Sequence, residues 1–191
     1  HFLDWAHYTQ QAIQNIYPKL GYVLSLNHRH QLNESGYQFL ANGEIFLPSF
    51  GNHSIVLTGS FQETDTNNVV FTNRFSIARG YPGYYFSRMW RVSGNYNFPI
   101  AYPDFGFADL VYFKRLRGNL FYDFSRVYSN NKLRTLDLRS TGAEFFFDTQ
   151  FWNELPVTFG FRYSYLLDYR LTGSSSSYFE VILPVNLIPG H

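Results

Sequence analysis

Residues 156–171 alternate with a period of two, and few folds can absorb such a run. Val157, Phe159, Phe161, Tyr163, Tyr165, Leu167 and Tyr169 fall on one side of an extended chain; Thr158, Gly160, Arg162, Ser164, Asp168 and Arg170 fall on the other. Successive side chains of a strand point to opposite faces, so the run predicts a strand with one apolar and one wet face. Only Leu166 breaks the rule. The run is longer than the usual strand of about 5–6 residues. It suits a tilted membrane strand, which needs about 9–11 residues.

The same alternation recurs along the chain. Leu20, Tyr22, Leu24 and Leu26 alternate with Val23, Ser25, Asn27 and Arg29. Ile55, Leu57 and Phe61 alternate with Val56, Thr58, Ser60 and Gln62, and Trp90, Val92, Tyr96 and Phe98 with Arg91, Ser93, Asn95 and Asn97. Ala143, Phe145 and Phe147 alternate with Glu144, Phe146 and Asp148. Turn-rich stretches separate the runs. The spacing predicts nine strands, near 19–32, 36–47, 53–63, 69–79, 85–99, 109–127, 135–150, 156–171 and 178–187. The sixth carries Lys114, Arg115 and Arg117 and reads as one strand or as two shorter pieces. Residues 1–16 alternate poorly and read as a short helix or an irregular lead-in, which leaves 17–191 as one unit.

Composition decides what kind of sheet this is. Phe, Tyr and Trp make up 21% of the 191 residues and charged residues only 15%, against roughly 25% in soluble domains. Mean hydropathy is still −0.24. Apolar rings on one face and polar groups on the other are what lipid outside and a wet lumen inside require. The expected class is therefore an all-β antiparallel transmembrane β-barrel. A soluble antiparallel β-sandwich or barrel is the alternative that alternation alone leaves open. No run of about 18 apolar residues exists to form a membrane helix. The net charge of +1 gives no reason to expect nucleic acid. With no cysteine, disulfides, thiolate metal sites and a cysteine nucleophile are excluded. The chain opens on His1 without Met or a signal peptide, so it is expected to be processed or part of a longer polypeptide.

Three segments carry a family resemblance. They are Ile77-Ala78-Arg79-Gly80-Tyr81, then Tyr96-Asn97-Phe98-Pro99-Ile100, then Leu120-Phe121-Tyr122-Asp123-Phe124-Ser125. In this order they resemble the C-terminal barrel half of the BamA-type superfamily of outer-membrane assembly factors and two-partner secretion translocators. That family carries Arg-Gly-Phe/Tyr in the loop between strands eleven and twelve of a sixteen-stranded barrel, and Phe-x-Asp-x-Gly on strand thirteen. Here Ser125 stands where the Gly would be. Four predicted strands precede the loop and five follow, so the chain resembles strands eight to sixteen.

The resemblance implies that Arg79, with Gly80 and Tyr81 beside it, is held inside the barrel by Asp123 or Glu144, with Phe121, Phe98 and Pro99 as barrel motif residues. Alternation puts both acids on wet faces: Asp123 with Asn119 and Ser125, and Glu144 with Asp148 and Gln150. A guanidinium is a planar fork that pairs bidentately with carboxylates, the chemistry such a pin needs. Read from spacing alone, Arg79 equally begins a solvated turn with Pro82-Gly83. The loop reads as short where the family's is long and folds into the lumen. The implied protein sits in the outer membrane of a Gram-negative bacterium and is no enzyme. It needs no cofactor and helps insert or secrete proteins. Its partners are lipid, the remaining barrel strands from the same polypeptide or another chain, complex subunits and client proteins. A passive pore or structural barrel is the alternative, and a barrel enzyme a third.

The remaining candidates read as structural. His28 and His30 share a face and lack a third metal ligand. His53 and Ser54 are adjacent and must point apart. Asp104 and Asp109 read as turn residues, and Ser174–Ser177 as a loop without a nucleophile elbow. Lys114-Arg115-x-Arg117 reads as a solvated patch or a lipid-headgroup contact. Trp5, Trp90, Trp152, Tyr81, Tyr84, Tyr85 and Tyr128 lie near predicted strand ends, as a girdle at headgroup depth would. Nine strands leave two open edges, so the sheet is not expected to close on itself. If the Arg79 loop faces outside, as the resemblance implies, strand parity places Pro48–Asn52, Ser129–Arg134 and Thr172–Ser177 at the outer end with it. It places Asn33–Gly36, Thr64–Asn68, Ala101–Phe107 and Trp152–Leu155 at the periplasmic end.

Overall fold

A computed structural model describes residues 1–9, 15–30, 36–65, 75–83, 86–107, 110–128, 135–152, 155–173 and 175–183. The chain forms one antiparallel sheet of ten strands. They are β1 (Phe2–Tyr8), β2 (Gly21–His30), β3 (Tyr37–Pro48), β4 (Ser54–Thr64), β5 (Arg88–Ala101), β6 (Phe105–Phe107), β7 (Val111–Tyr128), β8 (Thr135–Phe151), β9 (Leu155–Leu166) and β10 (Ser177–Ile182). Neighbours in sequence are neighbours in the sheet, except that the short β6 lies off the path and pairs with β7. A single helical turn, α1 (Tyr169–Thr172), follows β9. β1 and β10 stand at the two ends of the strand order, and no pairing joins them among the described residues.

Directly opposed residues share a face, so the register reads as rows. One row runs Tyr22, Ile45, Leu57, Gly94, Tyr122, Thr141, Tyr165. Its apolar members are exposed, as are Leu24, Val92, Leu120, Phe145, Phe161, Tyr163 and Phe179 on the same face. On the opposite face one row runs Thr58, Ser93, Asp123, Ser140, Leu166. The next runs Val56, Asn95, Phe121, Gly142, Ser164, and the third Asn97, Asn119, Glu144, Arg162, Glu180. The sheet thus has one exposed aromatic and aliphatic face and one polar face.

Four sequence expectations change. Residues 2–8 form β1 rather than a lead-in, because full-length pairing with β2 compensates for weak alternation; residues 10–14 lie outside the described residues. The strand expected at 69–79 does not form over 75–79. There the chain turns onto the polar face, and 69–74 lie outside the described residues. The strand expected to reach 171 ends at Leu166 and gives way to α1. The sixth expected strand forms as one strand, the long β7, with a register shift between Phe113 and Arg115, and the short β6 forms before it, within the connection expected at 101–107.

These changes alter the connections. The link between β4 and β5 is not short. It spans residues 65–87, and its described part packs on the polar face. Ile77, Ala78 and Tyr81 join Met89, Val127, Leu138 and Leu166 in the main buried apolar cluster. The exception at Leu166 thereby gains its reason: it faces inward, beneath this connection. The β2–β3 link, expected as Asn33–Gly36, joins strand ends on the Arg79 side of the sheet, though 33–35 lie outside the described residues, and Pro48–Asn52 falls at the opposite end. Both reverse the expected map, and Thr64–Asn68 belongs to Arg79's own connection.

Candidate functional site: a loop arginine clamped to the polar face

The apolar cluster sets the connection down on β7, β8 and β9, and Gly80 lets it come close. Gly80 has φ +86°, and a Cβ there would lie 2.7 Å from Ser164 Cβ and 2.9 Å from Leu166 Cδ2. Only glycine meets both demands without strain. The adjacent Arg79 side chain then crosses all three polar rows.

Arg79 Nε donates to Asp123 Oδ2 at 2.8 Å and Nη2 to Asp123 Oδ1 at 2.7 Å, a bidentate pair. The Arg79 backbone N–H donates to the same carboxylate at 2.9 Å. Nη2 also donates to Asn95 Oδ1 at 2.8 Å, and Nη1 lies 3.2 Å from Glu144 Oε2. The side chains of Asp123, Glu144 and Arg79 keep 0%, 4% and 13% of their exposure, so water screens these contacts little. The guanidinium carbon sits 3.7 Å from the centre of the Phe121 ring. That ring lies on Gly142, where a Cβ would come within 2.8 Å of Phe121 Cζ. Glycine, ring and guanidinium therefore stack in one column, a cation–π arrangement.

Glu144 is shared. Asn119 Nδ2 donates to Oε2 at 2.7 Å and to Asn95 Oδ1 at 3.1 Å. Arg162 Nε donates to Glu144 Oε1 at 2.6 Å, and Arg162 Nη1 to Glu180 Oε2 at 3.2 Å on the end strand β10. Charges alternate from the connection to the edge of the sheet: Arg79, Glu144, Arg162, Glu180.

Tyr81 ties the same connection down at a second point. Its hydroxyl donates to the Arg139 carbonyl at 3.0 Å and accepts from the Asp168 N–H at 3.1 Å. Burial pushes its phenol pKa up. Arg139 donates to the Asp168 carboxylate from its backbone N–H, Nε and Nη2 at 2.9, 3.0 and 2.8 Å. Hydrogen bonding to Arg139 holds the Asp168 carboxyl below its ordinary range. Tyr81 is thus buried in the sheet's core rather than placed in a girdle.

The structure brings together Arg79, Gly80, Tyr81, Phe121, Asp123 and Glu144. It does not bring Phe98 and Pro99 to them. Phe98 lies on the apolar face, where its ring covers Gly118, and Pro99 opposes Arg117. Trp5 and Trp152 are exposed, Tyr128 ends β7 beneath Arg88, and Tyr84 and Tyr85 lie outside the described residues. Trp90 is the third residue of β5 and packs on Phe124 of β7. His28 stacks on Tyr37, and no group of three metal-ligating side chains forms among the described residues. The His53 ring meets Tyr96 while Ser54 is buried opposite Asn97, so the two point apart. Asp104 accepts a hydrogen bond from Tyr112; Asp109 and Ser174 lie outside the described residues.

Arg115 and Arg117 are not a solvated patch. Both turn inward onto Asp148, at 2.7 and 3.2 Å. Sequence reasoning missed Asn95, Asn119 and Arg162. Each lies on the polar side of a well-read strand, but which of them meets Arg79 depends on cross-strand register. Compared with known proteins, the chain matches no family model, no curated protein and no solved structure.

Proposed function

We propose that the chain is the C-terminal part of an outer-membrane β-barrel of the BamA-type assembly and translocation superfamily. It works without chemistry of its own, in the insertion or secretion of other proteins. The observation that carries this reading is residues 75–83 of the β4–β5 connection, folded onto the polar face and clamped there by Arg79 on Asp123 and Glu144. In a soluble sheet a second apolar layer would cover such a face at lower desolvation cost than a buried ion cluster. A polar barrel lumen accommodates such a plug, as a loop folded inward.

Two further features support the reading. The face opposite the clamp carries exposed Leu, Val, Phe and Tyr across β2 to β10, as contact with lipid demands. Four strands precede the Arg79 connection and, leaving aside the short β6, five follow it, the family's count around its own motif loop. Unpaired edges cannot face hydrocarbon. β1 and β10 therefore pair with remaining strands of the same polypeptide or of another chain, in the outer membrane of a Gram-negative cell.

Depletion of the protein tests the function. Abundance of other outer-membrane barrels or of secreted substrates should fall, and an Arg79→Ala copy should fail to restore it. Unchanged abundance after complete depletion would overturn the assembly reading and leave a passive pore or structural barrel.

A further inference from the structure

The clamp has a counterpart near the other end of the polar face. Arg117 lies with its guanidinium carbon 4.4 Å from the centre of the Phe146 ring. That ring lies on Gly160, where a Cβ would come within 2.8 Å of Phe146 Cδ1. Glycine, ring and guanidinium stack again as they do beneath Arg79. Arg117 Nε donates to both oxygens of Asp148 at 3.2 Å. Ring and carboxylate together fix the plane of the fork and leave its Nη edge without a partner among the described residues.

The space beside that edge is open. A cavity of about 520 Å³ is lined by Lys114, Arg115, Arg117, Asp148, Tyr17 and Thr158, among others. A second, of about 370 Å³, is also lined by Arg117 and Tyr17, and there Arg79, Arg117 and Arg162 face the acids Glu44 and Glu144. The two therefore adjoin at Arg117 and Tyr17. In the larger cavity three cations face a single acid, Asp148. Arg115 is spent: Nε and Nη2 go to Asp148, and Nη1 donates to the Asn15 carbonyl at 3.3 Å. The register shift between Phe113 and Arg115 explains how so many cations meet. It leaves Lys114 as an unpaired extra residue and sets both Arg115 and Arg117 inward.

We propose that the junction of the two cavities is an oxyanion site that takes a phosphate group. Arg117 presents the fork, Lys114 supplies a second charge and Tyr17 a hydroxyl donor. A guanidinium edge already held in plane loses little freedom when it binds, and its two parallel N–H groups match the spacing of phosphate oxygens. Asp148 is the organiser rather than a competitor, since it occupies the Nε side. The inference does not depend on which proteins the barrel handles.

Inorganic phosphate titrated into the full chain in a zwitterionic detergent tests it, with binding read by calorimetry. Saturable binding that weakens as chloride rises is expected. Arg117→Gln should reduce the affinity about tenfold or more, and Arg117→Lys should recover only part of it. Lys114 is exposed, so Lys114→Gln should fold normally and weaken binding by a smaller factor. Arg126→Gln, on the apolar face, should bind as the parent does. If Arg117→Gln fails to fold, the Lys114 variant decides the outcome. Competition by glycerophosphoglycerol would assign the site to a lipid headgroup, and its failure to compete would assign it to free phosphate; both support an oxyanion site. No saturable phosphate binding, binding unchanged in both variants, or binding only of an acidic peptide or of anionic nanodiscs would overturn it.

Discussion

Arg79 is planar, permanently charged and held by three side chains at once, and this determines what its loss costs. Arg79→Ala leaves Asp123 and Glu144 buried with one cation fewer between them. Removing one partner of a buried pair costs about 3–5 kcal/mol. Denaturant unfolding in detergent should show a loss of that size, and a loss under about 1 kcal/mol would mean that the clamp is ornamental. Arg79→Lys should restore less than half, because an ammonium cannot span Asp123, Asn95 and Glu144 together. Gly80→Ala is a different kind of test. It combines a left-handed backbone with a Cβ 2.7 Å from Ser164 Cβ. It should cost about 1–3 kcal/mol and expose the connection to trypsin. Resistance equal to the parent's would contradict the close approach. At this scale the sequence was informative about parity and silent about register. Asp123 and Glu144 were placed on inward faces by counting twos. Asn95, Asn119 and Arg162 sit on equally inward positions, and nothing local says that their rows meet one guanidinium.

The elements that escaped the sequence are those whose state is decided by a partner. β1 has Leu3, Trp5 and His7 on the apolar side and Phe2, Asp4, Ala6 and Tyr8 on the other, a poor amphipathic signal that pairing with β2 overrides. Residues 75–79 show the converse. Phe75 and Ile77 alternate with Ser76 and Ala78 as a strand should, yet the segment turns inward because Ile77 and Ala78 are buried against Met89, Val127, Leu138 and Leu166. Leu166→Ala should therefore cost about 2–5 kcal/mol, like a core truncation. The same change at Tyr165, one residue away on the apolar face, should cost much less in detergent. Equal effects would deny that the connection has a core. The Tyr81 tether adds a pH dependence to the same end of the sheet. Arg139 depresses the Asp168 carboxyl in the folded state. The resulting stabilisation is fully present above the unfolded carboxyl value of 3.8 and is lost as pH falls through the lower folded value. Between about pH 4 and pH 2 the melting temperature of the parent should drop further than that of Asp168→Asn. Parallel curves would show that the bond contributes nothing.

For the whole molecule, the strand count fixes which connections share an end. With 65–87 joining β4 to β5, the links β2–β3, β7–β8 and β9–β10 fall at the Arg79 end, and β3–β4 and β8–β9 at the other. The placement also removes an anomaly. Barrels of this kind carry their longer loops outside. A strand at 69–79 would have left the connection around 101–107 among the longest, at the periplasmic end. The longest connection is now 65–87, at the end where the barrel reading puts the cell exterior. A membrane-impermeant maleimide on intact cells tests parity and membrane reading together, and no native cysteine interferes. Gly83→Cys and Ser175→Cys lie at exposed positions of the Arg79 end and should label. Phe50→Cys, in the β3–β4 turn and 86% exposed, should label only after the outer membrane is opened. The comparison is demanding because Phe50 is so accessible that only a membrane, not burial, can shield it. Labelling of all three in intact cells would remove the membrane. Labelling of Phe50→Cys alone would invert the barrel and separate the Arg79 clamp from the family whose loop it resembles.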